Sequence, residues 1–159
     1  MKFFEDIGIG DRRELGRHSF TVDDIKRYAV RYDPQLFHVD EAAAARSHFG
    51  ALIASGWHTA AVCMRLFVET QRQIAAELTA RGEPAARIGP SPGFRNLKWL
   101  MPVRAGDTIS YASEVLDKRP LESRPGWGVL VMRNTGTNQD GALVFEFEGA
   151  IFVERRGDP

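Results

Sequence analysis

A stretch from Trp57 to about Ala80 contains neither proline nor glycine, and it is the feature that most constrains the fold of this chain. Its small and apolar residues recur near α-helical spacing, so it predicts one long helix. Small or apolar residues surround the first half, which predicts burial there on nearly all sides, whereas charged residues mark a wetter second half. The positions near helical spacing are Ala60, Ala61, Met64, Phe67, Val68, Gln71, Ile74, Ala75 and Leu78.

In the residues that follow, the hydrophobic pattern changes to a period of two, which is typical of β-strands. A loop from Gly82 to Gly93, rich in proline and glycine, separates them from the helix, and Asn138 to Gly141 predicts a turn. One long helix followed by antiparallel strands predicts an α+β fold in which the sheet wraps the helix. The predicted strands are Phe94 to Leu100, Thr108 to Leu116, Gly128 to Asn134 and Leu143 to Val153.

The segment before the long helix divides into shorter elements. A first strand is predicted from Arg12 to Thr21, and Thr21 can cap a short helix that runs through Tyr32. Pro34 ends that helix, and the segment from Pro34 to Asp40 is predicted to be irregular. The alanine-rich residues Glu41 to Ser47 predict another short helix.

Length and composition suit one globular domain over residues 1–159, since 43% of the chain is hydrophobic. Its 21 basic residues balance 21 acidic ones, so neither nucleic acid nor a membrane surface is expected as a partner. No apolar run approaches membrane-spanning length. The one cysteine, Cys63, cannot form an intrachain disulfide, and we therefore expect a cytoplasmic location.

Asp33 and His38 lie five residues apart, in the segment that precedes the long helix. A carboxylate and an imidazole held together can share one water and take opposite protonation roles, which suits general acid–base catalysis. Both residues are predicted to lie on a loop outside the core. By itself this spacing favours chance or a structural Asp–His hydrogen bond over a catalytic pair.

The sequence Ser55-Gly56 marks the start of the long helix. Ser55 has the character of an N-cap, and Gly56 lets another group approach the backbone closely. Free amides at a helix start can bind a developing oxyanion, and the helix dipole adds to this interaction. An ordinary capped helix start explains the same residues without any ligand.

These motifs together resemble the MaoC-like, or R-specific 2-enoyl-CoA hydratase, family. The resemblance rests first on Tyr32-Asp33-Pro34-Gln35-Leu36-Phe37-His38-Val39-Asp40-Glu41-Ala42-Ala43 and on Ile53-Ala54-Ser55-Gly56. Three further segments resemble motifs of the family at corresponding places. They are Phe4-Glu5-Asp6-Ile7, Trp99-Leu100-Met101-Pro102-Val103-Arg104-Ala105-Gly106-Asp107 and Asn138-Gln139-Asp140-Gly141. The motifs cover nearly the whole chain in the family's order.

The resemblance implies a hotdog fold that dimerises and acts on a coenzyme A thioester. It implies that Asp33 and His38 are the catalytic pair, that Gly56 binds the thioester carbonyl through its amide, and that Ser55 belongs to the substrate-binding site. The family more often has asparagine and proline where this chain has Gln35 and Leu36, and often histidine at the position of Ser55. Those departures bear on the shape of the pocket.

The predicted reaction is reversible hydration of a trans-2-enoyl-CoA to a 3-hydroxyacyl-CoA. It needs no metal and no cofactor, since coenzyme A belongs to the substrate. Two alternatives stay open, because hotdog folds host several chemistries: an acyl-CoA thioesterase and a non-catalytic acyl-CoA-binding protein.

The four histidines lack a metal-binding spacing, and His58 is expected to be packed. The histidines are His18, His38, His48 and His58. Basic residues near strand edges, such as Arg95, Lys98 and Arg104, are expected to be solubilising rather than ligands for coenzyme A phosphates.

Overall fold

The computed structural model of the protein describes residues 1–157. It contains four helices, α1 to α4, and five strands, β1 to β5, in addition to a short 3-10 turn at Phe4–Asp6. The helices are α1 Val22–Tyr32, α2 Leu36–Val39, α3 Glu41–Arg46 and α4 Gly56–Ala80. The strands are β1 Arg12–Ser19, β2 Gly93–Trp99, β3 Thr108–Pro120, β4 Trp127–Thr137 and β5 Leu143–Glu154.

The strands form one antiparallel sheet in the order β1-β3-β4-β5-β2. Helix α4 packs against it through the buried side chains of Val62, Leu66 and Phe67, opposite Tyr111 and Phe145. The predicted α+β architecture, with a sheet around one long helix, is therefore confirmed. None of the described helices combines the length and the apolar character that crossing a membrane requires.

Two local predictions are wrong. The segment predicted to be irregular contains α2, because the turn after Pro34 lets the amide of His38 bond the carbonyl of Gln35 at 2.8 Å. The first half of α4 is not buried on all sides, since Trp57 is 52% exposed and Met64 is 49% exposed. The sheet covers only one face of α4, so the apolar residues of its other face lie at the surface.

The segment that leads into α4 is fixed by backbone hydrogen bonds to residues after β2. The amide of Ala54 donates to the carbonyl of Val103 at 2.8 Å, and the amide of Ala105 donates to the carbonyl of Leu52 at 3.3 Å. Ile53 in addition donates to the carbonyl of Phe37 at 3.2 Å. The start of α4 is thus held against α2, which carries one member of the predicted catalytic pair.

Candidate active site

Asp33 caps the C-terminus of α1, where its amide donates to the carbonyl of Ala29 at 2.8 Å. Its carboxylate accepts two side-chain hydrogen bonds. The Ser55 hydroxyl donates to Oδ2 at 2.6 Å, and the Gln35 amide donates to Oδ1 at 2.9 Å. The side chain of Asp33 is 19% exposed, so both oxygens are held in place near a solvent-accessible surface.

His38 lies on α2 and is only 4% exposed. Its Nδ1 lies 2.8 Å from the carbonyl oxygen of Ile53, which can only accept, so Nδ1 carries a hydrogen. Nε2 then points towards Asp33, 3.4 Å from its Oδ2. The prediction that His38 lies on a loop outside the core is therefore wrong: the Ile53 carbonyl satisfies the imidazole and allows its burial.

The electrostatic environment keeps Asp33 ionised. Burial by itself raises the pKa of Asp33, but hydrogen bonds from Ser55 and Gln35, followed by the charge interaction with His38, lower that pKa below its ordinary value. At neutral pH Asp33 is therefore a carboxylate that only accepts hydrogen bonds, and Nε2 of His38 faces it. The structure thus brings the two predicted catalytic residues together.

Ser55 is the N-cap of α4, since its hydroxyl oxygen accepts from the amide of Trp57 at 3.2 Å. It is 1% exposed, and its single hydroxyl hydrogen is donated to Asp33. One side chain thus both starts α4 and orients the carboxylate. Direct contact between Ser55 and a substrate, as the sequence predicted, stays a prediction.

Replacement of Ser55 by alanine is expected to remove both roles at once. Loss of the N-cap should lower the free energy of unfolding by about 1 kcal/mol, and loss of the hydroxyl donor should raise the pKa of Asp33. Urea unfolding and an NMR titration of the Asp33 carboxyl carbon measure the two effects. Thr21→Ala, which removes the N-cap of α1, should match the stability loss without the pKa change. An unchanged Asp33 pKa in Ser55→Ala would contradict this assignment.

Gly56 begins α4 directly beside the indole of Trp99. A Cβ atom at position 56 would lie 2.4 Å from Cε2 of Trp99, a distance that real Cβ contacts do not show. Nε1 of Trp99 and the hydroxyl of Thr59 donate to the Gly56 carbonyl at 2.9 and 2.6 Å. Within residues 1–157 the Gly56 amide has no hydrogen-bond partner, so this first-turn N–H is available to a ligand.

These groups border a cavity of about 400 Å³ that we call the dyad cavity. One wall of the cavity is apolar and includes the exposed side chains of Trp99 and Leu100. The residues that line it are Asp33, Gln35, Phe37, His38, Phe49, Ile53, Ala54, Ser55, Gly56, Trp57, Thr59, Trp99, Leu100, Met101, Pro102, Val103 and Val144. An apolar cavity with a few convergent polar groups is typical of a small-molecule site.

The basic residues near the strand edges have partners within the chain. Arg95 and Lys98 on β2 bond to Glu148 and Glu146 of β5, with N–O distances of 2.8 and 2.9 Å. Arg104 donates to the carbonyl of Phe49 at 3.0 Å. These side chains are thus paired within the chain, and the expectation that they are solubilising rather than ligands for coenzyme A phosphates stays a prediction.

Sequence reasoning missed a second cluster, formed by His18, Asp24 and His58, whose candidate ligand atoms lie within 4.8 Å of one another. Asp24 Oδ2 lies 2.6 Å from His18 Nε2 and 3.5 Å from His58 Nε2, while Arg27 bonds the other carboxylate oxygen. In the described part of the chain, Nδ1 of His58 has no partner, although a metal-bound histidine normally donates through its second nitrogen. The cluster thus fits a polar network around the Arg27–Asp24 ion pair better than a metal centre.

Burial lowers the pKa of His58 from 6.5 to about 4, outweighing the opposing charge of Asp24. Between these values the unfolded chain binds a proton at His58 that the folded chain does not, so stability falls as the pH is lowered through this window. We expect a loss of about 3 kcal/mol in the free energy of unfolding. His58→Phe, which keeps the ring stacked on Tyr28, should lose that dependence, whereas His48→Gln at an exposed position should keep it. Equal pH slopes for His58→Phe and the wild type in urea unfolding would contradict this expectation.

Comparison with known proteins places this geometry in a family. Residues 8–127 match the model of the MaoC like domain. The Bacillus subtilis protein YdeM, which is uncharacterised, is 32% identical over 135 residues, which are 85% of this chain and 86% of YdeM. The crystal structure of a MaoC-like dehydratase from Rhodospirillum rubrum superposes with a TM-score of 0.81 at 34% identity, covering 99% of this chain and 100% of that one.

A Mycobacterium tuberculosis protein described as a double hotdog fold superposes with a TM-score of 0.68, covering 99% of this chain and 45% of that one. Its identity is 18%, so this likeness concerns the fold alone. Together the fold and the matches define a hotdog domain of the MaoC-like type. The chain belongs to the MaoC-like family.

Proposed function

We propose that this protein is a hydro-lyase that reversibly adds water to a trans-2-enoyl-CoA to give a 3-hydroxyacyl-CoA. The observation that carries the proposal is the position of His38 Nε2, 3.4 Å from the Asp33 carboxylate, at a cavity that also contains the start of α4 at Gly56. A base, a fixed anion and a free backbone amide are the groups that water addition to a conjugated thioester requires.

In the proposed reaction a water molecule is held between Asp33 and His38. Nε2 of His38 takes a proton from it while the oxygen bonds to C3, and the electrons of the double bond move towards the thioester oxygen. The Gly56 amide donates to that oxygen as its charge grows. The imidazolium then returns the proton to C2 on the same face, so atoms and charges balance.

Asp33 keeps its charge throughout this cycle. The lowered pKa of its carboxyl makes it a poor proton acceptor and a good electrostatic partner for the transient imidazolium of His38. General acid–base help of this kind contributes roughly 100- to 10,000-fold, and one oxyanion donor about 2.7–4 kcal/mol. Adding water involves no net oxidation or reduction, so the proposed step needs no redox cofactor, and the Gly56 amide stabilises the charge on the thioester oxygen without a metal ion.

This proposal is tested by incubating the protein with crotonyl-CoA and with longer and branched enoyl-CoAs. Hydration is followed as a loss of the absorbance of the conjugated thioester. Turnover should appear for part of the series, with a 3-hydroxyacyl-CoA as product. Release of free thiol without hydration would instead favour a thioesterase, and tight binding with neither product a non-catalytic acyl-CoA-binding protein. No turnover with any member of the series would contradict the proposal.

We further propose that two copies of the chain associate through β2. Within residues 1–157, β2 pairs only with β5, so its other edge is open, and open edges invite strand pairing. Exposed Trp57, Met64, Trp99 and Phe94 lie on or near this side of the molecule and are 43–59% exposed. Sedimentation at micromolar concentration should show a homodimer. A monomer at every concentration tested would contradict this prediction.

A further inference from the structure

A second and larger cavity lies along α4, beyond the dyad cavity. This distal groove has a volume of about 510 Å³ and runs between α4 and strands β2, β4 and β5. Thr59 borders the dyad cavity and Cys63 borders the groove. These residues are four positions apart, about 6 Å along one face of the helix. The groove thus begins one helical turn from the dyad cavity.

The walls of the groove are apolar over most of its length. Met64, Phe67 and Val68 line it from α4, and Phe94 and Phe147 line it from the sheet. Such a surface suits a hydrocarbon chain. An acyl chain bound there would point away from the dyad and towards the C-terminal half of α4.

A buried polar side chain borders the groove in its part farther from the dyad. Gln71 borders the groove about 22 Å along α4 from Gly56, and it also borders an adjoining cavity of about 240 Å³ with Ser113. Gln71 is 7% exposed and Ser113 is 2% exposed. Among the described residues, neither the Gln71 Oε1 atom nor the Ser113 Oγ atom has a hydrogen-bond partner.

The groove and the adjoining cavity share part of their walls. Met1, Phe67, Gln71 and Met132 border both the groove and the adjoining cavity. Two of these four side chains are methionines, which are flexible and adapt readily to the shape of a ligand. Gln71 borders the groove directly, whereas Ser113 borders only the adjoining cavity, so a chain in the groove reaches Ser113 only if one of these side chains shifts.

We propose that Gln71 and Ser113 determine specificity by selecting long acyl groups with a hydroxyl near the far end of the chain. This inference rests on the proposed function. A hydroxyl is a small group that can donate to Gln71 Oε1 and accept from Ser113 Oγ at the same time. A terminal carboxylate cannot donate, and a plain alkyl end leaves both buried atoms unpartnered, which is unfavourable.

Ordered water in the adjoining cavity is the competing explanation, since buried water commonly satisfies such groups. The two explanations differ in a measurable way. If water already satisfies both atoms, acyl chains with and without a hydroxyl should bind equally well. If Gln71 Oε1 and Ser113 Oγ have no water partner, the protein should bind the hydroxylated chain more tightly.

The test compares pairs of enoyl-CoAs of equal length, with and without a hydroxyl on the last carbon, over increasing chain length. In the wild type, kcat/KM should favour the hydroxylated member about tenfold at one or more of the longer lengths. Gln71→Leu and Ser113→Ala should each reduce that preference and leave hydration of crotonyl-CoA unchanged. Thermal unfolding checks that both variants fold, and Gln73→Leu, on an exposed position of α4, is the matched control.

Calorimetric binding of the same pairs is measured in parallel, so the preference is read even without turnover. Absence of hydration with a tenfold binding preference would overturn the proposed function and support the specificity of Gln71 and Ser113. Equal values for both members at every length would overturn the specificity, as would a preference that neither variant changes.

Discussion

Asp33→Asn is expected to lower kcat/KM for hydration by about 100-fold or more, while the melting temperature changes little. The amide has the shape of the carboxylate and can still accept from Ser55, but it carries no charge to stabilise the imidazolium of His38. Steady-state kinetics with an enoyl-CoA and thermal unfolding measure the two quantities. Near-normal activity, or an unfolded variant, would show that Asp33 is structural.

The role of His38 is best tested with asparagine rather than alanine. Alanine would leave the Ile53 carbonyl without its donor inside the protein, at a cost of about 1–3 kcal/mol. Asparagine can keep a donor near that carbonyl and remove the base. We expect His38→Asn to lower activity as Asp33→Asn does, and the double variant to be scarcely worse than either, because the pair acts as a unit. Penalties that multiply would indicate independent roles.

Gly56→Ala is expected to lower kcat/KM by about 100-fold. The new methyl group would meet the Trp99 indole at 2.4 Å, so the indole must move and its bond to the Gly56 carbonyl must break. The first turn of α4 then shifts, and in the proposed reaction its free amide would no longer donate to the thioester oxygen. Kinetics and the fluorescence of the displaced tryptophan measure these effects.

Gly126→Ala is the matched control, because no atom lies within 4 Å of the position that its Cβ would take. It should retain full activity. The double variant Gly56→Ala/Trp99→Leu has more space beside residue 56 and should recover part of the lost rate. Full activity in Gly56→Ala alone would show that the close approach of Trp99 has no role in the reaction.

The periodic elements of the fold could be predicted from the sequence with small errors at their ends. The predicted long helix from Trp57 to Ala80 differs from the observed α4 by one residue. Long periodic segments carry a strong signal, since each repeat adds to the same buried face. The burial of α4 could not be predicted in the same way, because it depends on which side the sheet covers, and Trp57 and Met64 lie on the uncovered side.

Spacing alone could predict only those parts of the candidate site whose residues are close in sequence, and the family resemblance added Ser55 and Gly56. The motif places Asp33 and His38 on one short segment, and the fold does bring them together. The role of Ser55 as a donor to Asp33 joins residues 22 positions apart, and its N-cap character alone does not reveal it. The network of His18, Asp24 and His58 likewise joins β1, α1 and α4. No local pattern reports such contacts.

The fate of the water oxygen tests the central claim most directly. Incubation of the protein with an enoyl-CoA in water labelled with the heavy oxygen isotope, followed by mass spectrometry, locates that oxygen in the product. We expect the label on C3 of an intact 3-hydroxyacyl-CoA, at a rate that Asp33→Asn lowers about 100-fold. Label in the carboxylate of a free acid, with release of coenzyme A, would show a thioesterase and contradict the account.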